Sequence, residues 1–277
     1  MARRKDSKRG RWYEVDAPDG PVELPSVTNI EGAVAKPALM NWAAKVEREM
    51  VIQAAADFYE DTIKTPPMSR SAYTMSLTER IGKLRQHQRE MEKAQSIGTE
   101  AHSLIEWHLH RRMNAEVGPE PKVSEPALWA YMAWDDWQRS VDLLPLHVEN
   151  TVWSLEYGYA GTMDLHCMIR GVETVCDWKS GKQVYLTEAG MQNAAYRHAL
   201  REMGHGDPKQ GLIVRLPKVT TDPEFEVVNV DEQVAKLVGL IGPHMAESYL
   251  FQKFLATYEL WKWVQVNDDA YWEKKKE

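Results

Sequence analysis

The sequence has only two cysteines among its 277 residues, which excludes a disulfide scaffold and any four-cysteine zinc or iron–sulfur site. No apolar run approaches the roughly 18 residues that a membrane span requires. The basic opening, MARRKDSKRGRWYEV, lacks the apolar stretch of a secretory signal, so a reducing, cytoplasmic setting is expected. No internal repeat and no low-complexity tract is present. A net charge of -7 excludes a protein that binds nucleic acid by being basic everywhere. Residues 1–11 hold Arg3, Arg4, Lys5, Lys8, Arg9 and Arg11 against the single acid Asp6, a local +5. They read as a disordered arm, either tracking phosphates or simply solvated.

What is present is two textures that meet near residue 145. Before it, residues 38–60, 76–94, 97–113 and 125–141 carry apolar side chains at three- and four-residue spacing and predict four helices. Thr65-Pro66-Pro67-Met68-Ser69 and Gly118-Pro119-Glu120-Pro121 mark loops between them. After it, 148–157, 160–169 and 172–179 predict three strands, and Thr187 is the expected N-cap of a helix over 188–203 that stops at Gly204. Strands at 211–216 and 224–230 and a helical region over 231–264 complete a mixed α/β core. The expected division is a basic arm (1–24), a helical lobe (25–145) and a core with a C-terminal helix (146–277).

The segment GTMDLHCMIRGVETVCDWKSGK, residues 161–182, carries the chemistry. With Arg170-Gly171 as a two-residue turn, opposed positions sum to 341, so Asp164 faces Asp177. Leu165, Cys167, Ile169, Val172, Thr174, Cys176 and Trp178 then share a core face, while Asp164, Asp177 and Lys179 share the other, which builds a site. Two opposed carboxylates must share a proton or gather a cation, and Lys179 brings only one charge. Oxygen ligands in such a pair suit Mg²⁺ or Mn²⁺. A plain surface ladder of Asp and Lys is the alternative.

Asp164 followed thirteen positions later by Asp177-Trp178-Lys179 resembles the signature of the PD-(D/E)xK nuclease superfamily, in its RecB-like branch. Gly98-Thr99-Glu100-Ala101-His102 with Glu106 resembles the helical GTxxH motif of that branch, and Gln192-Asn193-Ala194-Ala195-Tyr196 its QxxxY motif. Pro25-Ser26-Val27-Thr28-Asn29-Ile30, with Leu39 and Trp42, is similar to the opening of phage and mitochondrial genome maintenance exonucleases. The resemblance implies a restriction-endonuclease-like mixed β-sheet core flanked by helices, with an N-terminal helical lobe. It also implies a DNA exonuclease that acts on single strands or ends and requires Mg²⁺ or Mn²⁺. Asp164, Asp177, His102 and the backbone carbonyl of Trp178 would hold the metal, with Glu149 as an outer or second-metal ligand or an ordinary strand-end acid. Lys179 would orient the attacking water. Gln192, Tyr196, Lys182 and Thr28 would meet substrate, although Gln192 and Tyr196 can instead order the loop that carries the lysine, Tyr196 also reads as core and Lys182 as a solvated lysine. The iron–sulfur subset of the branch uses four cysteines, so no cluster is expected here.

His108 and His110 read as structural. Of the 11 tryptophans, Trp107, Trp129, Trp134, Trp137 and Trp153 read as packing residues rather than base-stacking platforms. Arg80, Lys83, Arg85, Arg89 and Lys93 form either a basic DNA-facing stripe or a solvated face. A restriction-type endonuclease and an inactive nuclease fold that binds DNA or a protein are the competing functions. DNA is the expected partner, with a recombination or single-strand-binding protein as a second; the expected state is a monomer without membrane association.

Overall fold

The computed structural model describes residues 2–7, 10–34, 37–62, 68–82, 85–218 and 224–274. Lys8, Arg9, Thr65, Pro66, Pro67 and Lys83 of the sequence reading lie outside them. The chain divides into two compact units, one of Met1–Val34 with Ile97–Glu277 and one of Ala35–Ser96, where the sequence had suggested cuts after 24 and 145.

The larger unit is built on a five-stranded sheet: β4 (Leu143–Ser154), β5 (Tyr159–Ile169), β6 (Val172–Lys179), β7 (Gln210–Arg215) and β8 (Glu226–Asn229), adjacent in that order. All pairs are antiparallel except β6 with β7, which α6 (Leu186–Glu202) connects as a crossover. Arg170 and Gly171 both take positive φ, 49° and 79°, as a type I′ hairpin requires. Ile169 pairs with Val172, Cys167 with Thr174 and Leu165 with Cys176, which is the expected register.

One expectation about that hairpin fails: its second face is not given over to a site. Leu165, Cys167, Cys176 and Trp178 pack with Ile105 of α4 (Gln86–Arg112) and with Trp134 and Trp137 of α5 (Glu125–Ser140). On the opposite face, Met163, Val175 and Ile213 pack with α6 and with Leu250 and Phe254 of α8 (Pro243–Lys274). A parallel crossover puts helices on both faces of a sheet, so the site is confined to the point where β5 and β6 stop pairing, just past Leu165 and Cys176. Val172, expected in the core, is 41% exposed at the turn. The two thiols, Cys167 and Cys176, are fully buried with their Sγ atoms 3.7 Å apart.

Four further readings are corrected. The supposed arm is ordered: β1 (Ala2–Ser7), β2 (Gly10–Ala17) and β3 (Gly20–Pro25) form an antiparallel sheet, tied by Lys5 to Glu14 and Glu23. Tyr13, Val15 and Leu24 bury one side of it against Ala160. The helices read at 76–94 and 97–113 are differently divided. α3 (Arg70–Ile81) stops at Gly82, φ 72°, and α4 then runs unbroken to Arg112. A glycine inside a helix costs about 1 kcal/mol relative to alanine, yet Gly98 has a packing reason, since a Cβ there would stand 2.8 Å from Ser180 Oγ. Thr187 is not a cap; α6 begins at Leu186 after Tyr185. The C-terminal helical region is split into α7 (Val230–Val238) and α8, with Gly239 closing α7 at φ 70°.

The smaller unit comprises α2 (Pro37–Thr62), α3 and the start of α4. The His87 ring and backbone both bond Glu47, and Phe58 packs on Tyr73 at 4.7 Å. No described helix is long and apolar enough to cross a membrane.

Candidate functional site

Where the β5–β6 pairing ends, beside the middle of β4, five chemistry-bearing side chains from four elements are gathered. Asp164 of β5 accepts the Trp178 N–H through Oδ2 at 2.7 Å. That bond locks one acid to the strand carrying the other. Its Oδ1 stands 3.6 Å from His102 Nδ1 of α4, and the same nitrogen stands 4.0 Å from Glu149 Oε1 of β4. Ligand atoms of His102, Glu149 and Asp164 all lie within 4.8 Å of one another. Gly98 sits one turn before His102 and touches the chain just past Lys179 through Ser180. The small residue thus lets the helix bring its histidine to the sheet.

Asp177 is 2% exposed and ion-paired with Lys179, whose Nζ is 2.6 Å from Oδ2. Lys179 also donates to Gln192 Oε1 at 2.9 Å, and Gln192 Nε2 donates to the Tyr196 hydroxyl at 2.9 Å. Gln192 and Tyr196 are four apart on α6 and so share a face. The Tyr196 ring lies over Gly161, where a Cβ would be only 2.5 Å from Cε1.

Glu149 is the residue whose backbone stands out. The β4–β5 ladder shifts between Pro145 and His147, then resumes with Val148 opposite Leu165 and Asn150 opposite Met163, which sets Glu149 against Asp164. Glu149 has φ 46°, a left-handed conformation that costs a non-glycine residue roughly 1–2 kcal/mol. Such strain persists where the surroundings over-determine it and clusters at functional sites. Sequence alone gives no sign of it.

The electrostatics follow from crowding. Burial, with Asp164, Glu106 and Asp177 nearby, pushes the Glu149 carboxyl up to about 9, opposed by Arg11 of β2. Burial also raises Asp177, to about 6, against the pull of Lys179. Burial disfavours the Lys179 ammonium, but Asp177 and Asp164 outweigh it and raise its pKa. Asp164 and Asp177 therefore share the charge of Lys179, while Glu149, crowded by the same two acids, holds its proton at neutral pH. Carboxylate oxygens are the donors that Mg²⁺ and Mn²⁺ prefer, whereas an imidazole nitrogen suits the later transition metals; a dication would relieve the crowding, and the carboxylates present fit such an ion.

Two expected contacts are not part of this cluster. Lys182 is solvent-exposed in the loop after β6, without a bond to the carboxylates. Thr28 is exposed on α1 (Val27–Glu31), and its Oγ1 bonds Ser26 Oγ, the cap of that helix, at 2.9 Å. Trp178 contributes its backbone beside Asp164 while its indole packs edge-on against Trp134 and Trp137. His108 bonds the Tyr131 hydroxyl at 3.0 Å, as a structural histidine does. A second acidic group, Glu156, His198 and Glu202, is a turn device, since Glu202 Oε1 accepts the Leu155 and Glu156 N–H groups. The sequence reading gave Gly161 no part in the site, although a glycine inside a strand was a visible signal; that Arg11 and Asn29 meet is set by tertiary structure alone. Neither a scan against protein-family models nor a search of curated proteins finds a match for this chain.

Proposed function

We propose that the protein is a metal-dependent deoxyribonuclease, an exonuclease hydrolysing phosphodiester bonds of single-stranded DNA or DNA ends in recombination, repair or genome maintenance. The observation that carries this reading is the meeting of His102, Glu149, Asp164, Asp177 and Lys179, drawn from residues up to 77 positions apart, where the β5–β6 pairing ends. The reading takes the sheet as a restriction-endonuclease-like core; its support is an antiparallel hairpin bearing both acids, followed by a helical crossover to a parallel strand.

His102, Asp164, Asp177 and Glu149 would hold Mg²⁺ or Mn²⁺, which when bound supplies Lewis-acid polarisation of a phosphoryl oxygen. Lys179 remains an ammonium, so it acts as a proton donor and positive charge rather than as a base. From Nζ it orients the attacking water and meets negative charge developing on the phosphoryl oxygens. Gln192 fixes Nζ by accepting a hydrogen bond from it, and the Tyr196 hydroxyl fixes Gln192. The Asp164 bond to Trp178 N–H keeps both acid-bearing strands in register while a polyanionic strand approaches.

The test is a time course on 5′-labelled and 3′-labelled DNA, single-stranded and duplex, with Mg²⁺ or Mn²⁺, beside EDTA and an Asp177→Ala variant. Stepwise shortening that needs metal and Asp177 is the expected result, and the label lost first gives the polarity. Release of internal fragments from closed circles would replace the exonuclease by an endonuclease. DNA left intact under both metals would overturn the catalytic reading in favour of a binding module.

A further inference from the structure

The N-terminal sheet aims a cation at the candidate site. Arg11 is held by its main chain: its N–H donates to Asn29 Oδ1 at 3.0 Å, and its carbonyl accepts from Asn29 Nδ2 at 2.7 Å. The Ser26 N–H donates to the same carbonyl at 3.1 Å. Gly10 makes this clamp sterically feasible, because it has φ 94° and a Cβ there would fall 2.4 Å from Asn29 Oδ1. One side chain gripping both main-chain polar groups of a residue 18 positions away fixes where that residue's own side chain starts.

The direction is fixed too. Ser26 bridges Ala160 in parallel fashion, so chain running forward through Ser26 runs toward Asp164 on β5. β2 is antiparallel to β3, with Trp12 opposite Pro25, so stepping back from Tyr13 to Arg11 is also a step toward Asp164. Tyr13 and Arg11 share a strand face, and the Tyr13 hydroxyl already reaches Thr162 Oγ1 at 2.9 Å, two residues short of Asp164. Arg11 starts closer and has the longer side chain. Its ion pair with Asp6 is loose, 3.5 Å, and Asp6 is held more tightly by Arg4 at 2.9 Å. About a third of the Arg11 side chain is exposed. A guanidinium on a fixed backbone, beside a site where anions are processed, matches the planar fork that phosphate recognition uses.

We propose that Arg11 binds a backbone phosphate of the DNA strand beside the scissile linkage, with Asn29 as its positioning residue. This rests on the nuclease reading of the same site. The substrate contact comes from the N-terminal sheet rather than from a free arm, and it sets where along the strand the bond to be cut lies.

The experiment uses the full chain with a fluorescein-labelled single-stranded oligonucleotide, measuring binding by anisotropy in EDTA and hydrolysis in Mg²⁺. Arg11→Gln is expected to raise KM about 10-fold with kcat changed less than about two-fold, and to lower the salt slope of binding by about 0.7. Arg11→Lys keeps the charge without the fork and falls between. Asp6→Asn, which removes the ion-pair partner alone, leaves KM unchanged. A single neutral methylphosphonate, moved linkage by linkage from the end, identifies the phosphate: at one position it weakens binding about 10-fold for the parent and under about two-fold for Arg11→Gln. If the parent cuts DNA and the variant matches it in KM and at every neutral linkage, this inference falls and the nuclease reading stands. If the parent binds through Arg11 but cuts nothing with either metal, the nuclease reading falls and the phosphate contact stands. If the parent neither binds nor cuts, both fall.

Discussion

Replacing Gly161 with alanine places a methyl group 2.5 Å from Tyr196 Cε1, 3.1 Å from its hydroxyl oxygen and 3.2 Å from Cζ. Packed carbon atoms rest about 3.5–4.0 Å apart, so the ring must retreat by about 1 Å. Gly161 is outside the left-handed region, so the backbone adds no cost of its own. Tyr196 is 2% exposed and Gln192 7%, which leaves the ring no free space on its far side. Overpacking of this kind costs about 1–3 kcal/mol, and at about 2–4 °C per kcal/mol for large domains the melting temperature falls by about 4–8 °C at the middle of that range. The same retreat breaks the Tyr196–Gln192–Lys179 chain, and a misplacement of about 1 Å can lower kcat about 100-fold. Thermal melts and initial hydrolysis rates on one preparation measure both effects. Tyr196→Phe separates them, because it keeps the ring and removes only the hydroxyl, so activity falls while stability changes by about 1 kcal/mol. A Gly161→Ala protein that melts within 1 °C of the parent, or that keeps full kcat, would refute the reasoning.

Three other outcomes follow from the same geometry. In metal-free protein, folded Glu149 keeps its proton up to about 9 against 4.5 for the free group, so stability falls as pH rises between those values, by at most about 1.4 kcal/mol per pH unit. Asp177 adds to this only up to about 6, which leaves pH 6–9 to Glu149; urea melts in EDTA should show that slope for the parent and a flatter one for Glu149→Gln, and equal slopes would dismiss the buried acid. Mn²⁺ at 100 times its dissociation constant should stabilise the parent by about 2.7 kcal/mol, and an Asp164→Ala variant stabilised to the same degree would place the ion elsewhere. Arg197 is 3% exposed and pairs with Asp231 at 2.8 Å and Glu247 at 2.9 Å; Arg197→Met leaves the buried Asp231 without its cation while Glu247 keeps Arg201, and should cost about 3–5 kcal/mol in denaturant midpoint analysis, with a cost below 1 kcal/mol counting against the network.

The parts of the molecule legible in its sequence are those whose cause is local. The Arg170-Gly171 turn fixes the β5–β6 register, because both residues accept positive φ and the flanking alternation admits one pairing. From that register the acid pair and Lys179 follow. The helix carrying Gln192 and Tyr196 announces itself by period, though not by cap. What was illegible depends on partners far along the chain. Residues 2–7 are mostly charged and become a strand only because Lys5 finds Glu14 and Glu23 while Tyr13 and Val15 cover Ala160. The left-handed conformation of Glu149 lies inside the regular part of the β4–β5 ladder and has no signature in either strand. The burial of both faces of the hairpin depends on α6 and α8, which cover Met163 and Val175 from elsewhere in the chain.

The buried thiol pair gives this protein a clock for its own opening. Burial, with Cys167 alongside, pushes the Cys176 thiol well above the ordinary range, and only thiolates react with disulfide reagents. Neither sulfur can be labelled until the strands between α5 and α6 part, and there is no third cysteine to confuse the signal. Where reclosing outruns labelling, the labelling rate divided by that of the unfolded chain is the opening constant of the central ladder. Added metal or DNA should slow the clock to the extent that it ties β5 to β6, which makes ligand binding readable at two sulfur atoms directly behind Asp177.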